Sequence, residues 1–119
     1  MWPQLEEVQR MKEIKSPYKS YKVVATVKSV HGLAGEETGG KGPCQYYRPG
    51  DQIVFDKSEI RGTICYGALA SMMYKICSLR LGLDYPWHKK GVADHLCPDP
   101  QRPVVFELRR VEDEPTKFP

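Results

Sequence analysis

A central helix is predicted by residues 66–81, which read YGALASMMYKICSLRL. At about 100° per residue, four apolar side chains of this stretch share one helical face. They are Leu69, Met72, Met73 and Ile76. Cys65 projects onto the same face, and Gly82 is expected to end the helix. A helix with a single apolar face must bury that face against another layer of structure.

Three further stretches alternate apolar and polar residues in the manner of β-strands: residues 21–30, 52–56 and 103–111. The turn motif Pro49-Gly50-Asp51 leads into the second of them, where Ile53 and Phe55 are expected to face inward. The intervening residues 83–96 show no periodicity around Pro86-Trp87-His88. The order strand, strand, helix, strand predicts an α+β fold, with a small antiparallel sheet of about three strands covered by one main helix.

An extra helix is predicted at the N-terminus, because apolar residues recur there at every third position: Leu5, Val8, Met11 and Ile14. A spacing of three drifts around a helix, so we expect this helix to pack on a protein partner or on a second copy in a homo-oligomer. The predicted organisation is an N-terminal helical arm over residues 1–16, a single α+β domain over 17–112 and a frayed tail over 113–119.

Composition limits the class of protein. The chain has 119 residues, enough for one domain, and its 18 Lys and Arg are interspersed among 15 Asp and Glu, for a net charge of +3. Without a basic stripe, nucleic acid is not an expected partner.

No apolar run approaches the roughly 20 residues that span a bilayer, and Glu6 and Glu7 stand where a signal peptide is apolar. We therefore expect a cytoplasmic protein without a membrane partner, whose four cysteines are thiols or metal ligands rather than disulfides.

Three cysteines lie at the ends of predicted elements, namely Cys44, Cys65 and Cys97. Three thiolates require a fourth ligand or an open coordination position, and the candidates nearby in sequence are His95, Asp99 and His88. We predict a metal site made by the three cysteines and His95, for zinc or an iron–sulfur cluster. The chain has no Cys-x-x-Cys pair, which is the strong signal for zinc ribbons and iron–sulfur sites, so the cysteine spacing gives this prediction little support.

The remaining cysteine is assigned a different role. Cys77 follows Cys65 by twelve residues, which is about 18 Å along a helix axis, so the two cannot bind one metal ion. We predict that Cys77 is a small buried apolar residue. Trp87 is predicted to seal the edge of the core.

Two alternatives to a metal site remain open. The amides at the start of the helix could stabilise a Cys65 thiolate, as in a thiol-dependent enzyme. Such a nucleophile needs a base, and the three histidines, His31, His88 and His95, are all predicted in loops. The other alternative is a protein-interaction module whose cysteines are buried and structural.

A set of motifs spans most of the chain, over residues 21–111. Cys44 precedes Gly50-Asp51, Cys65 opens an Ala-containing helix that ends in Leu79-Arg80-Leu81-Gly82, Pro86-Trp87 follows, and Cys97-Pro98-Asp99-Pro100 leads into Pro103-Val104-Val105-Phe106-Glu107. This pattern resembles a family of small, largely uncharacterised bacterial and archaeal proteins. The resemblance implies a thiol or metal site, and Cys77 lies outside the pattern. The resulting expectation is a small accessory or redox-associated protein with a three-cysteine metal site, acting as a subunit of a larger enzyme.

Overall fold

The computed structural model describes residues 19–31, 43–100 and 102–117, with side chains described through residue 112. Its elements are β1 (Lys19–Val30), β2 (Gln52–Asp56), β3 (Glu59–Arg61), α1 (Tyr66–Arg80), β4 (Val92–Leu96) and β5 (Val104–Lys117). The predicted N-terminal helical arm, and the partner surface assigned to it, lie outside the described residues. Within the described part of the chain, no helix is long and apolar enough to cross a membrane.

The strands form one antiparallel sheet in the order β3-β2-β1-β5-β4. The α+β class is confirmed, but the sheet has five strands instead of the predicted three or so. The strand β3 has no buried residue, so no alternation marks it in the sequence. The strand β4 begins with two consecutive buried residues, which breaks the alternation expected of a half-buried strand.

The core lies between α1 and the sheet face formed by the long central strands β1 and β5. Their register places Ala25 opposite Leu108 and Val27 opposite Phe106, and all four side chains are buried. The inward orientation predicted for Ile53 and Phe55 of β2 is confirmed, because both are buried. In β1, Val23, Ala25 and Val27 are buried on one face, whereas Tyr21 at the start of the same alternation is only half-buried. The strand β5 continues through Lys117, past the end that the sequence pattern indicates.

The helix α1 follows the prediction in length but not fully in orientation. It ends at Arg80, and Gly82 adopts φ of +86°, a conformation that glycine reaches without strain, and donates its N–H to the Leu79 carbonyl. The buried face consists of Ala68, Met72, Ile76 and Leu79. Leu69 and Met73, which were predicted on this face, are only half-buried. The apolar stripe is therefore rotated from the predicted one.

Two predictions of burial are wrong. Cys77 is exposed, because it lies about 140° around the helix from Met72, at the centre of the buried face. Trp87 is 73% exposed and does not seal the core. Its ring instead lies against Tyr85, with ring centroids 5.5 Å apart.

Candidate functional site

Three cysteines from three separate segments line one cavity of about 340 Å³. Cys44 comes from the loop before β2, Cys65 from the start of α1 and Cys97 from the end of β4. Tyr46, Pro98 and Arg102 complete much of its wall. The structure thus brings together the three cysteines that the sequence analysis grouped, and Cys77 is not among the residues that line the cavity.

Cys97 is held by the pairing of β4 with β5. Its backbone N–H donates a 2.9 Å hydrogen bond to the Val104 carbonyl, which extends the ladder by one residue. The turn that follows is closed by Asp99, whose carboxylate accepts a hydrogen bond of 3.3 Å from the Arg102 N–H. The Asp99 side chain also lies 3.9 Å from the Arg102 guanidinium. This turn fixes the Cys-Pro-Asp-Pro motif against the cavity.

Cys65 is the N-cap residue of α1, and its side chain makes no capping hydrogen bond. Its backbone N–H donates to the Tyr47 hydroxyl over 2.9 Å. The Tyr47 ring is buried with its edge on Phe106, at 5.3 Å between centroids. Tyr47 therefore ties the Cys44 loop and the start of the helix to the core. Sequence reasoning missed it, because Tyr47 stands alone in a polar loop without apolar periodicity.

The site environment affects two ionisable groups. Burial raises the pKa of the Cys97 thiol, the backbone N–H of Asp99 opposes this by hydrogen bonding, and the neighbouring Cys65 and Cys44 add to the increase. Burial also raises the pKa of the Tyr47 hydroxyl, with contributions from the same three cysteines. The raised pKa favours the protonated Cys97 thiol at neutral pH, and a positive charge bound nearby would favour the thiolate.

The described residues contain no group of three or more His, Cys, Asp or Glu side chains arranged to hold a metal ion. Asp99 does line the cavity with the three cysteines, whereas His95 is not among the lining residues. His95 lies in β4, not in a loop as predicted, and its Nε2 is 2.8 Å from the Ser71 hydroxyl of α1. The structure therefore assigns His95 a contact between helix and sheet.

The burial of His95 has a consequence for stability. The imidazole is 8% exposed, and its pKa is lowered first by burial and then by the nearby Lys75 ammonium. The unfolded state therefore binds a proton at His95 more readily than the folded state does. The contribution of neutral His95 to stability is complete above its ordinary pKa of 6.5 and is lost as the pH falls below that value.

We expect a His95→Gln variant to lose less stability than the parent when the pH falls from about 7.5 to 5.5, because glutamine does not titrate. Urea unfolding at the two pH values measures this difference. The control is His31→Gln, which replaces an exposed histidine and should keep the pH dependence of the parent. Equal losses in His95→Gln and the parent would contradict the prediction.

The cavity combines three thiols, a carboxylate and a guanidinium in a half-buried setting. All four cysteines are free. No family model matches the chain, and neither a curated protein nor a solved structure is significantly similar to it.

Proposed function

We propose that this protein binds a thiophilic metal, zinc or an iron–sulfur cluster, through Cys44, Cys65 and Cys97. In this role it is a small accessory or redox-associated protein that serves a larger enzyme. The observation that carries the proposal is the convergence of three cysteines, from segments far apart in sequence, on a single cavity. The one cysteine outside the cavity is exposed on α1.

Binding requires the three thiols to turn toward a common point, since they are not arranged around a metal in the structure described above. A cysteine side chain has a single rotatable bond before its sulfur, so such a change involves few torsions. The Cys97 thiol must also release its proton, because the ligand is the thiolate. The attraction of a metal cation for thiolates would supply the stabilisation of the Cys97 thiolate.

The charges around the cavity support this coordination. Three thiolates around a divalent ion leave one net negative charge. The Arg102 guanidinium and the amide end of α1, which begins directly after Cys65, are the nearby positive groups. No acidic residue lies in the first turn of α1 to oppose them. A fourth position is left for Asp99, for water or for a ligand from outside the chain.

We expect Cys44→Ser, Cys65→Ser and Cys97→Ser each to weaken zinc binding by at least about tenfold, because the loss even of a residue that only supports a ligand costs that much. The measurement is metal content after anaerobic purification, together with zinc titration by a competing chelator dye. Cys77→Ser is the matched control, since it makes the same change on an exposed part of α1 and should bind zinc like the parent.

Two results would contradict this assignment. One is a folded parent protein that binds neither zinc nor an iron–sulfur cluster under anaerobic conditions. The other is a Cys77→Ser variant that loses metal while Cys44→Ser keeps it, because the exposed position of Cys77 then could not be reconciled with a site in the cavity.

A second candidate function is thiol chemistry at Cys65, favoured by its place as an N-cap whose side chain makes no capping bond. A thiolate there would face the positive end of the helix dipole. Alkylation of the native protein by iodoacetamide separates the two candidates. Rapid modification of Cys65 that is unchanged by added zinc supports thiol chemistry, whereas protection of all three cavity cysteines by zinc supports metal binding.

A further inference from the structure

A second cavity, of about 160 Å³, is lined by residues of the C-terminal half of α1 and of the β2–β3 hairpin. Its apolar wall consists of Phe55, Ile60, Met73 and Ile76. None of the cysteines lines it, so it is separate from the site proposed above.

The polar groups of this cavity are mainly hydrogen-bond donors. Lys57 and Ser58 come from the turn, and Arg80 comes from the last turn of α1. Lys57 is held with a positive φ of 54°, the only non-glycine residue in the described chain with such a backbone conformation. With this left-handed backbone conformation Lys57 closes the turn between β2 and β3, and it stands at the rim of the cavity. Glu59 also lines the cavity.

The Arg80 guanidinium makes no hydrogen bond or ion pair within the described residues. Its Nε is buried, so a ligand in the cavity would bind the terminal nitrogens of the guanidinium. A guanidinium without an acceptor is available for a charge-assisted hydrogen bond to an anion. No ion pair within the described structure joins Glu59 to Arg80 or Lys57, although Arg61 on the same hairpin is paired with Asp56 at 3.2 Å.

We propose that this cavity binds a small aliphatic carboxylate. Its anionic group would lie against Arg80, Lys57 and the Ser58 hydroxyl, and its short hydrocarbon portion would lie on the apolar wall. A carboxylate accepts two hydrogen bonds from a guanidinium, here from the two terminal nitrogens of Arg80. Two cations against the single carboxylate of Glu59 leave a net positive charge at the rim. The volume of about 160 Å³ suits a ligand of a few carbon atoms.

The test is titration of the whole protein with sodium butyrate at constant ionic strength, followed by NMR signals of the Arg80 side-chain Nε–H and the Lys57 and Ser58 amides. We expect saturable shifts with butyrate. n-Butanol has the same chain without the charge and should bind at least about tenfold more weakly, and n-butylammonium should not bind. Inorganic phosphate that binds as tightly as butyrate would overturn the aliphatic part of the proposal.

Variants locate the site. Arg80→Met keeps the apolar stem of the side chain and should weaken butyrate binding by roughly tenfold or more. Lys57→Asn removes the cation while keeping a residue that tolerates a positive φ, and should also weaken binding. Arg61→Met, which removes a paired cation from the same hairpin, is the control and should bind like the parent. Unchanged binding in both Arg80→Met and Lys57→Asn, or no butyrate shift in the parent, would overturn the proposal.

Discussion

Replacing Phe106 with alanine is expected to lower the free energy of unfolding by about 3–5 kcal/mol, among the largest effects of a single substitution in this chain. Phe106 is a fully buried residue of β5. It is paired with Val27 on the neighbouring strand β1, and its ring contacts the Tyr47 ring. The deletion removes apolar area from the core and leaves a cavity. Ile76→Ala, on the facing side of α1, is expected to cost about 2–5 kcal/mol for the same reason.

Denaturant unfolding measures both effects, and Leu96→Ala is a suitable control. Leu96 lies on the neighbouring strand β4 but is 58% exposed, so its truncation should change stability by less than about 0.5 kcal/mol. If Phe106→Ala and Leu96→Ala unfold at the same denaturant concentration, the core does not lie between α1 and this face of the sheet.

Arg110→Met is the second change with a large expected effect, about 3 kcal/mol of stability. The Arg110 side chain is 2% exposed. Its guanidinium binds Asp84 at 2.6 Å and Glu112 at 2.8 Å, and it donates to the carbonyls of Leu79 and Leu83. Without the guanidinium these acceptors lose their shared donor. The expected loss of stability is at the low end of the range for breaking a buried ion pair. Both carboxylates are partly exposed, so water can replace the arginine as their hydrogen-bond donor.

Arg109→Met provides the matched control, since Arg109 is the preceding residue and forms a more exposed ion pair with Glu107. Its loss should cost no more than about 1 kcal/mol. The hydrogen bond from Arg110 is also the main cause of the lowered pKa of Asp84. The parent should therefore lose this stabilisation as the pH falls below 3.8, the ordinary pKa of an aspartate, and Arg110→Met should lose less. Equal unfolding midpoints for Arg109→Met and Arg110→Met would show that Arg110 does not hold the loop after α1.

Local sequence patterns predicted the elements whose own residues carry a clear period. Alternation located β1 and β2 together with their buried residues, and a helical period located α1 and its end at Gly82. The turn before β2 was also predictable, because Gly50 adopts a positive φ of 94° and Asp51 accepts a hydrogen bond from the Arg48 N–H. These features depend on interactions within a few residues, which a sequence displays directly.

Patterns within a segment could not reveal features that arise between segments. The strand β3 contains no buried residue, and β4 is recognisable only from its pairing with β5. The orientation of α1 was misjudged, because packing against the sheet buries Ala68 and Leu79 and leaves Leu69 and Met73 only half-buried. Burial of a helix face is decided by the surface that it meets, and periodicity alone allows several neighbouring faces.

For the candidate site, the sequence by itself determined which residue types are present and that three cysteines stand at the ends of elements. Only the tertiary structure decided that Cys44, Cys65 and Cys97 line one cavity, and that His95 bonds to Ser71 instead. It also decided the parts played by Tyr47 and Arg110, each of which joins segments far apart in the chain. The physical reason is that such contacts depend on the packing of the helix and the loops against the sheet, which local propensity does not specify.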